Sequence, residues 1–131
     1  MYLLDTHVVS ELRRPKPHGA VVAWLASVND QDLYLSALSL AEIQRGIEIT
    51  RQQDVAKAQN LELWLDQLAA SFEVLVLDAV VMRDWARMMH RRSNTLSEDA
   101  MLAATAKVNG CLLYTSPSPR DRTRSRMPSS A

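Results

Sequence analysis

Short apolar runs alternate along this chain with longer stretches in which apolar residues return every three or four positions. Tyr2-Leu3-Leu4, Leu33-Tyr34-Leu35, the run from Phe72 to Leu77 and Cys111-Leu112-Leu113-Tyr114 are short and rich in branched or aromatic residues. Each predicts a buried strand. Between them, Val21, Trp24, Leu25 and Val28 recur at helical spacing, as do Leu61, Trp64, Leu65 and Leu68, and then Val81, Trp85, Met88 and Met89. Further helices are predicted from Thr6 to Leu12, from Ser39 to about Ile49 and from Asp99 to Val108. Pro15 and Pro17 end the first of these and Asn109-Gly110 the last. Gly46 is a weak point inside its helix. Strands alternating with helices predict a three-layer α/β/α fold around a mainly parallel sheet.

The pattern stops after Tyr114. Thr115 to Arg126 mixes Ser, Pro and Arg with no apolar period, the composition of a disordered linker or tail. The expected division is therefore a folded unit over residues 1–114 and a tail over 115–131. A sheet of this kind is expected to continue into one more helix and an edge strand. The tail reads instead like foreign or out-of-frame sequence, so those elements are expected to be missing.

Composition narrows the class without naming a substrate. At 131 residues and 47% apolar, the chain is one domain with enough apolar side chains for a core. No apolar run approaches the ~20 residues of a membrane-spanning helix. Met1 leads straight into the first strand with no basic stretch, unlike a secretory signal. Cys111 is alone, which excludes a disulfide framework and a cysteine zinc site. A cytoplasmic protein fits these features. The neutral net charge conceals a split, because Arg120, Arg122, Arg124 and Arg126 face Asp121 alone in the tail. The rest is mildly acidic, with no broad basic surface to mark nucleic-acid binding.

Three acids sit where strands end or helices begin: Asp5 after the first strand, Glu42 after the second, and Asp99 at the start of the alanine-rich helix. In an open α/β fold such positions converge on one crevice, where crowded carboxylates repel and a divalent cation relieves them. Each has a plainer account. Asp5 can cap a helix. Ser39 and Glu42 have the spacing of a capping box. Asp99 suits a helix dipole, and neighbouring Glu98 pairs with Thr95 as another capping box. Glu98 is thus read as the more structural of the two acids. His7, His18 and His90 form no ligand set; His7 is near enough to line the Asp5 crevice, although solvation is the simpler reading. Arg87, Arg91 and Arg92 suit phosphate contact or a solvated face. Trp24, Trp64 and Trp85 fall on apolar stripes and are assigned to the core.

Three segments together resemble a known family: Met1 to Leu12 with Asp5-Thr6-His7-Val8-Val9-Ser10-Glu11-Leu12, then Ser36 to Gly46, then Glu98 to Gly110. They resemble the PIN-domain toxins of the VapC type, in particular the FitB-like branch. The resemblance implies a metal-dependent endoribonuclease using Mg²⁺ or Mn²⁺, an antitoxin that blocks it, and a homodimer. It also implies that Asp5, Glu42 and Asp99 are catalytic and metal-binding, activating water to hydrolyse RNA. The family continues its fourth strand into a Thr-Arg-Asn-x-x-Asp-Phe segment. Here Thr115 aligns, Arg120 stands at the acidic position, and Asp121 is one residue out of register. Two rivals remain open: an impaired PIN protein that only binds its antitoxin or dimer partner, and a haloacid-dehalogenase-like phosphatase. The second needs an aspartate two residues after Asp5, where His7 stands.

Overall fold

The computed structural model describes residues 1–91 and 96–115 of the chain. The possible Thr95 cap, Arg92 and the tail beyond Thr115 lie outside those residues. In chain order the elements are β1 (Tyr2–Leu4), α1 (Thr6–Glu11), α2 (Gly19–Ala26), a 3-10 turn (Asp30–Asp32), β2 (Leu33–Ser36) and α3 (Ala37–Arg51). They continue with α4 (Val55–Ser71), β3 (Glu73–Leu75), α5 (Ala79–Met89), α6 (Ser97–Val108) and β4 (Leu112–Tyr114). Every expected element is present, with shifted ends. The Phe72–Leu77 run forms only a three-residue strand, and α3 starts two residues before Ser39.

All four strands pair in parallel in the order β3-β2-β1-β4. Consecutive residues of a strand face opposite sides, and the packing follows that alternation. Leu4, Leu33, Leu35 and Val74 join Val21, Ile47, Leu65 and Leu68 in one core under α2, α3 and α4. Leu3, Tyr34, Leu75 and Leu113 turn the other way, against Ala106 of α6 and Cys111. A helical layer on each face covers the sheet, as an all-parallel sheet requires.

Local chemistry sets the helix boundaries. Ser36 accepts the Leu38 N–H at 3.1 Å, Asp54 accepts that of Lys57 at 3.0 Å and Asp78 that of Val81 at 3.0 Å, so three helices start on side-chain caps. His18, which belongs to no ligand set, caps α2 by accepting the Ala20 N–H on Nδ1 at 3.2 Å. Gly110 ends α6 with φ +69°, a conformation that favours glycine.

Two clasps hold elements that matter for the site. Trp24 of α2 stacks on Tyr114 of β4 with ring centroids 3.7 Å apart and meets Tyr2 of β1 edge-on at 5.0 Å. On the opposite face, Trp85 Nε1 donates to the Ser97 carbonyl at 3.1 Å, and Lys107 reaches the buried Asp84 Oδ1 at 3.3 Å. The second clasp ties both ends of α6 to α5. The first binds β1 and β4 through one indole, so Trp24→Ala should lower unfolding stability by about 3 kcal/mol. Denaturant unfolding measures this; an unchanged midpoint would show that the aromatic cluster adds nothing to the core.

Candidate functional site

The parallel strands deliver three residues to one rim: β1 runs into Asp5, β2 ends in Ser36 and β4 runs into Thr115. They are 3%, 0% and 6% exposed. Asp5 N–H donates to the Tyr114 carbonyl at 2.9 Å, one step beyond the paired Leu4 and Tyr114. From β1 the chain moves to β2 and β3 on one side and returns to β4 on the other. The crevice at such a reversal is where open α/β sheets bind ligands.

Asp5 is at the cap position of α1, but its side chain makes no capping hydrogen bond there. The helix-cap account of this acid therefore fails. What remains is a carboxylate carried into a buried position by strand pairing.

The capping box expected of Ser39 and Glu42 does not form either, because Ser36 is the cap of α3 and Ser39 lies inside its first turn. Ser39 and Glu42, three residues apart, share one face of α3 and both turn toward α1. Thr6 Oγ1 donates to Glu42 Oε1 at 2.7 Å and lies 2.8 Å from Ser39 Oγ. A hydroxyl has one proton to give. With that proton on Glu42, Ser39 is the donor to Thr6, and the relay Ser39–Thr6–Glu42 fixes the carboxyl's orientation.

Glu42 also shares a side-chain hydrogen bond with Glu98 of α6. Burial pushes its pKa from the ordinary 4.5 up to about 7, and the bond to Glu98 adds to the rise while the Thr6 donation opposes it. The charges of Glu98 and Asp5 push in the same upward direction. Two carboxyl groups in contact bind one proton between them. Glu98, read from sequence as the structural acid, is thus the α6 residue that reaches Glu42. Asp99 is the next residue in the first turn of the same helix and is half-buried. Sequence reasoning missed Thr6, Ser39 and Glu98 as members of the site. The usable signals were the position of Thr6 beside Asp5 and the three-residue step from Ser39 to Glu42.

Among the described residues, no three His, Cys, Asp or Glu side chains form a group that can hold a metal ion. The chemistry of the donors still suits a hard divalent cation. They are carboxylate and hydroxyl oxygens, the set that Mg²⁺ and Mn²⁺ prefer, and the nearby charges of Glu98 and Asp5 add to the rise that burial gives the Glu42 pKa. Beside these acids a groove of about 340 Å³ opens between α1, α3 and α4. Thr6 and Glu42 belong to both. His7 is exposed and lines this groove, while Arg87 lies 3.7 Å from Asp84 on the α5 surface.

Residues 2–116 match the family model described as PIN domain. The chain belongs to the PIN-domain family. The PIN domain is 34% identical over 122 residues to toxin FitB of Neisseria gonorrhoeae, covering 88% of this chain and 86% of that protein. It is 43% identical over 65 residues to ribonuclease VapC14 of Mycobacterium tuberculosis, half of this chain and 63% of that one, so the match spans less than two thirds of VapC14. The crystal structure of FitAcB from Neisseria gonorrhoeae superposes with a TM-score of 0.71 at 34% identity, covering 88% of this chain and 86% of that chain. No helix among the described residues is long and apolar enough to cross a membrane. The fold expected from the three quoted segments is the one found.

A carboxyl that binds its proton more tightly when folded contributes stability that is complete below pH 4.5 and lost as pH climbs through about 7. In EDTA, the melting temperature of the PIN domain should fall across that window, and Glu42→Gln should flatten that part of the profile. A slope untouched by the substitution would show that the proton sits elsewhere.

Proposed function

We propose that this PIN domain is a divalent-metal-dependent endoribonuclease, the toxin of a toxin–antitoxin pair. The observation that carries the reading is the meeting of acids at the strand rim, where buried Asp5 follows β1 and Glu42 hydrogen-bonds both Thr6 and Glu98. The relatives named ribonuclease and toxin support the reaction class.

Asp5, Glu42 and Asp99 are assigned as the residues that hold Mg²⁺ or Mn²⁺, with Glu98 beside Glu42. When bound, the ion lowers the pKa of a water and offsets charge developing on the phosphoryl oxygens. The protein's part is positioning. Asp5 is locked by the β1–β4 pairing and has almost no solvent contact, so its carboxylate needs little ordering when a ligand arrives. Thr6 holds one oxygen of Glu42, which ligates the ion or a water in its shell. Loading the site releases the proton that Glu42 carries, which makes cation affinity rise with pH up to about 7. Water attack on the RNA phosphodiester then leaves a 3′-hydroxyl and a 5′-phosphate.

The partners follow from the same reading: an RNA substrate, a cognate antitoxin protein and a second copy of the chain, acting in the cytoplasm. Support comes from the FitB relative, named a toxin, and from the FitAcB structure that the fold matches. The purified protein should cleave RNA only when Mg²⁺ or Mn²⁺ is supplied, and EDTA should stop it. Asp5→Asn should reduce cleavage by at least about a hundredfold with an unchanged circular dichroism spectrum. Cleavage that persists in EDTA would overturn the proposal. Intact RNA with metal present would favour a domain that only docks its protein partners.

A further inference from the structure

Gly46 stands in the middle of α3, a 15-residue helix, where glycine costs about 1 kcal/mol relative to alanine. Packing does not require it, because a Cβ built there meets no heavy atom within 4 Å. The space it leaves empty is the groove beside the acid cluster, which Gly46 itself lines. We propose that this groove seats one base of single-stranded RNA beside the phosphate to be cut, and that Gly46 keeps the seat open. This inference rests on the ribonuclease reading above.

The shape and chemistry of the groove fit a nucleotide. Its volume of about 340 Å³ lies at the small end of the ~300–1,000 Å³ typical of ligand pockets. Trp64 of α4 contributes an aromatic wall, with Ile43 and Leu61 as apolar neighbours, the surface on which bases of any identity stack. His7 and Arg13, both exposed, place cationic or proton-donating groups at the α1 side, where backbone phosphates would run. Thr6 and Glu42 line the groove and also belong to the acid cluster, so a base seated there has its own phosphodiester at the carboxylates. That continuity favours a nucleic acid over a protein side chain as occupant.

Gly46→Leu projects a side chain from a position where a Cβ meets no heavy atom, and leucine is the better helix former, so circular dichroism and the melting temperature are expected to match wild type. Gly46→Ala is a milder second variant. Binding would be measured by fluorescence anisotropy with short labelled single-stranded RNA of randomised sequence, with Ca²⁺ in place of the catalytic metal. Gly46→Leu should weaken binding about tenfold and raise KM by a similar factor, with kcat within about twofold and Mn²⁺ binding by electron paramagnetic resonance unchanged. An all-abasic strand should bind wild type and Gly46→Leu equally. Wild-type affinity retained by Gly46→Leu, while the protein still cuts RNA, would overturn the base seat and leave the ribonuclease reading standing. Equal losses on normal and abasic strands would also overturn it. A wild type that neither binds nor cuts RNA would overturn both.

Discussion

Like charges gathered at the carboxyl ends of parallel strands are the constraint around which this molecule is arranged. Asp5 is carried to its buried position by backbone pairing: β1 cannot pair with β4 without bringing the next residue to the rim. Glu42 arrives from the opposite direction, on the second turn of a helix whose start is fixed by Ser36. Folding thus drives carboxyl groups together against their mutual repulsion. The opposing terms show in the raised pKa of Glu42, pushed up to about 7 chiefly by burial, and in the hydroxyl relay from Ser39 through Thr6. Surroundings that bind a proton so readily are also suited to a cation, because both supply the missing positive charge.

Maintaining such a site requires rigid supports, and these are placed on both faces of the sheet. The Trp24 indole joins β1 and β4 from one side, across the two strands whose ends carry Asp5 and Thr115. On the other side the Trp85–Ser97 bond fixes the first turn of α6, the turn that holds Glu98 and Asp99. The Lys107–Asp84 contact secures the far end of that helix. The first clasp adjoins the crevice through Tyr114, whose carbonyl accepts the Asp5 N–H.

Much of this architecture was legible in the residues themselves. Short apolar runs and the 3.6-residue period located the four strands and six helices of the described residues, because burial on both faces of a parallel sheet and on one face of a helix imposes those patterns directly. The contacts around the candidate site were legible only in part. Asp5 and Glu42 were singled out from their positions at strand ends, and the two α6 acids were weighed by local rules, which set Glu98 aside although it is hydrogen-bonded to Glu42. The relation of Glu98 to Glu42 spans 56 positions of chain and depends on how α6 leans on α3, which no window of sequence contains. Ser39 misled in the same way. Its spacing to Glu42 satisfies a capping box, yet the helix begins earlier because β2 hands its last residue, Ser36, to the cap. In both cases tertiary context decided which of two chemically reasonable partners was used.

Gly46 is an instance of the same tension between local stability and an open site. A helix packed for stability alone would place a side chain there, since there is room for one and alanine or leucine would strengthen α3. Its absence costs the helix and leaves open space in the groove that Gly46, Trp64 and Glu42 all line. The acid cluster bears a related cost, holding carboxylates closer than their solvation favours. Both departures from the most stable arrangement border the same crevice, and they have different physical origins, one steric and one electrostatic. A rule broken twice at one place by independent means marks that place as the part of the molecule shaped for something other than folding.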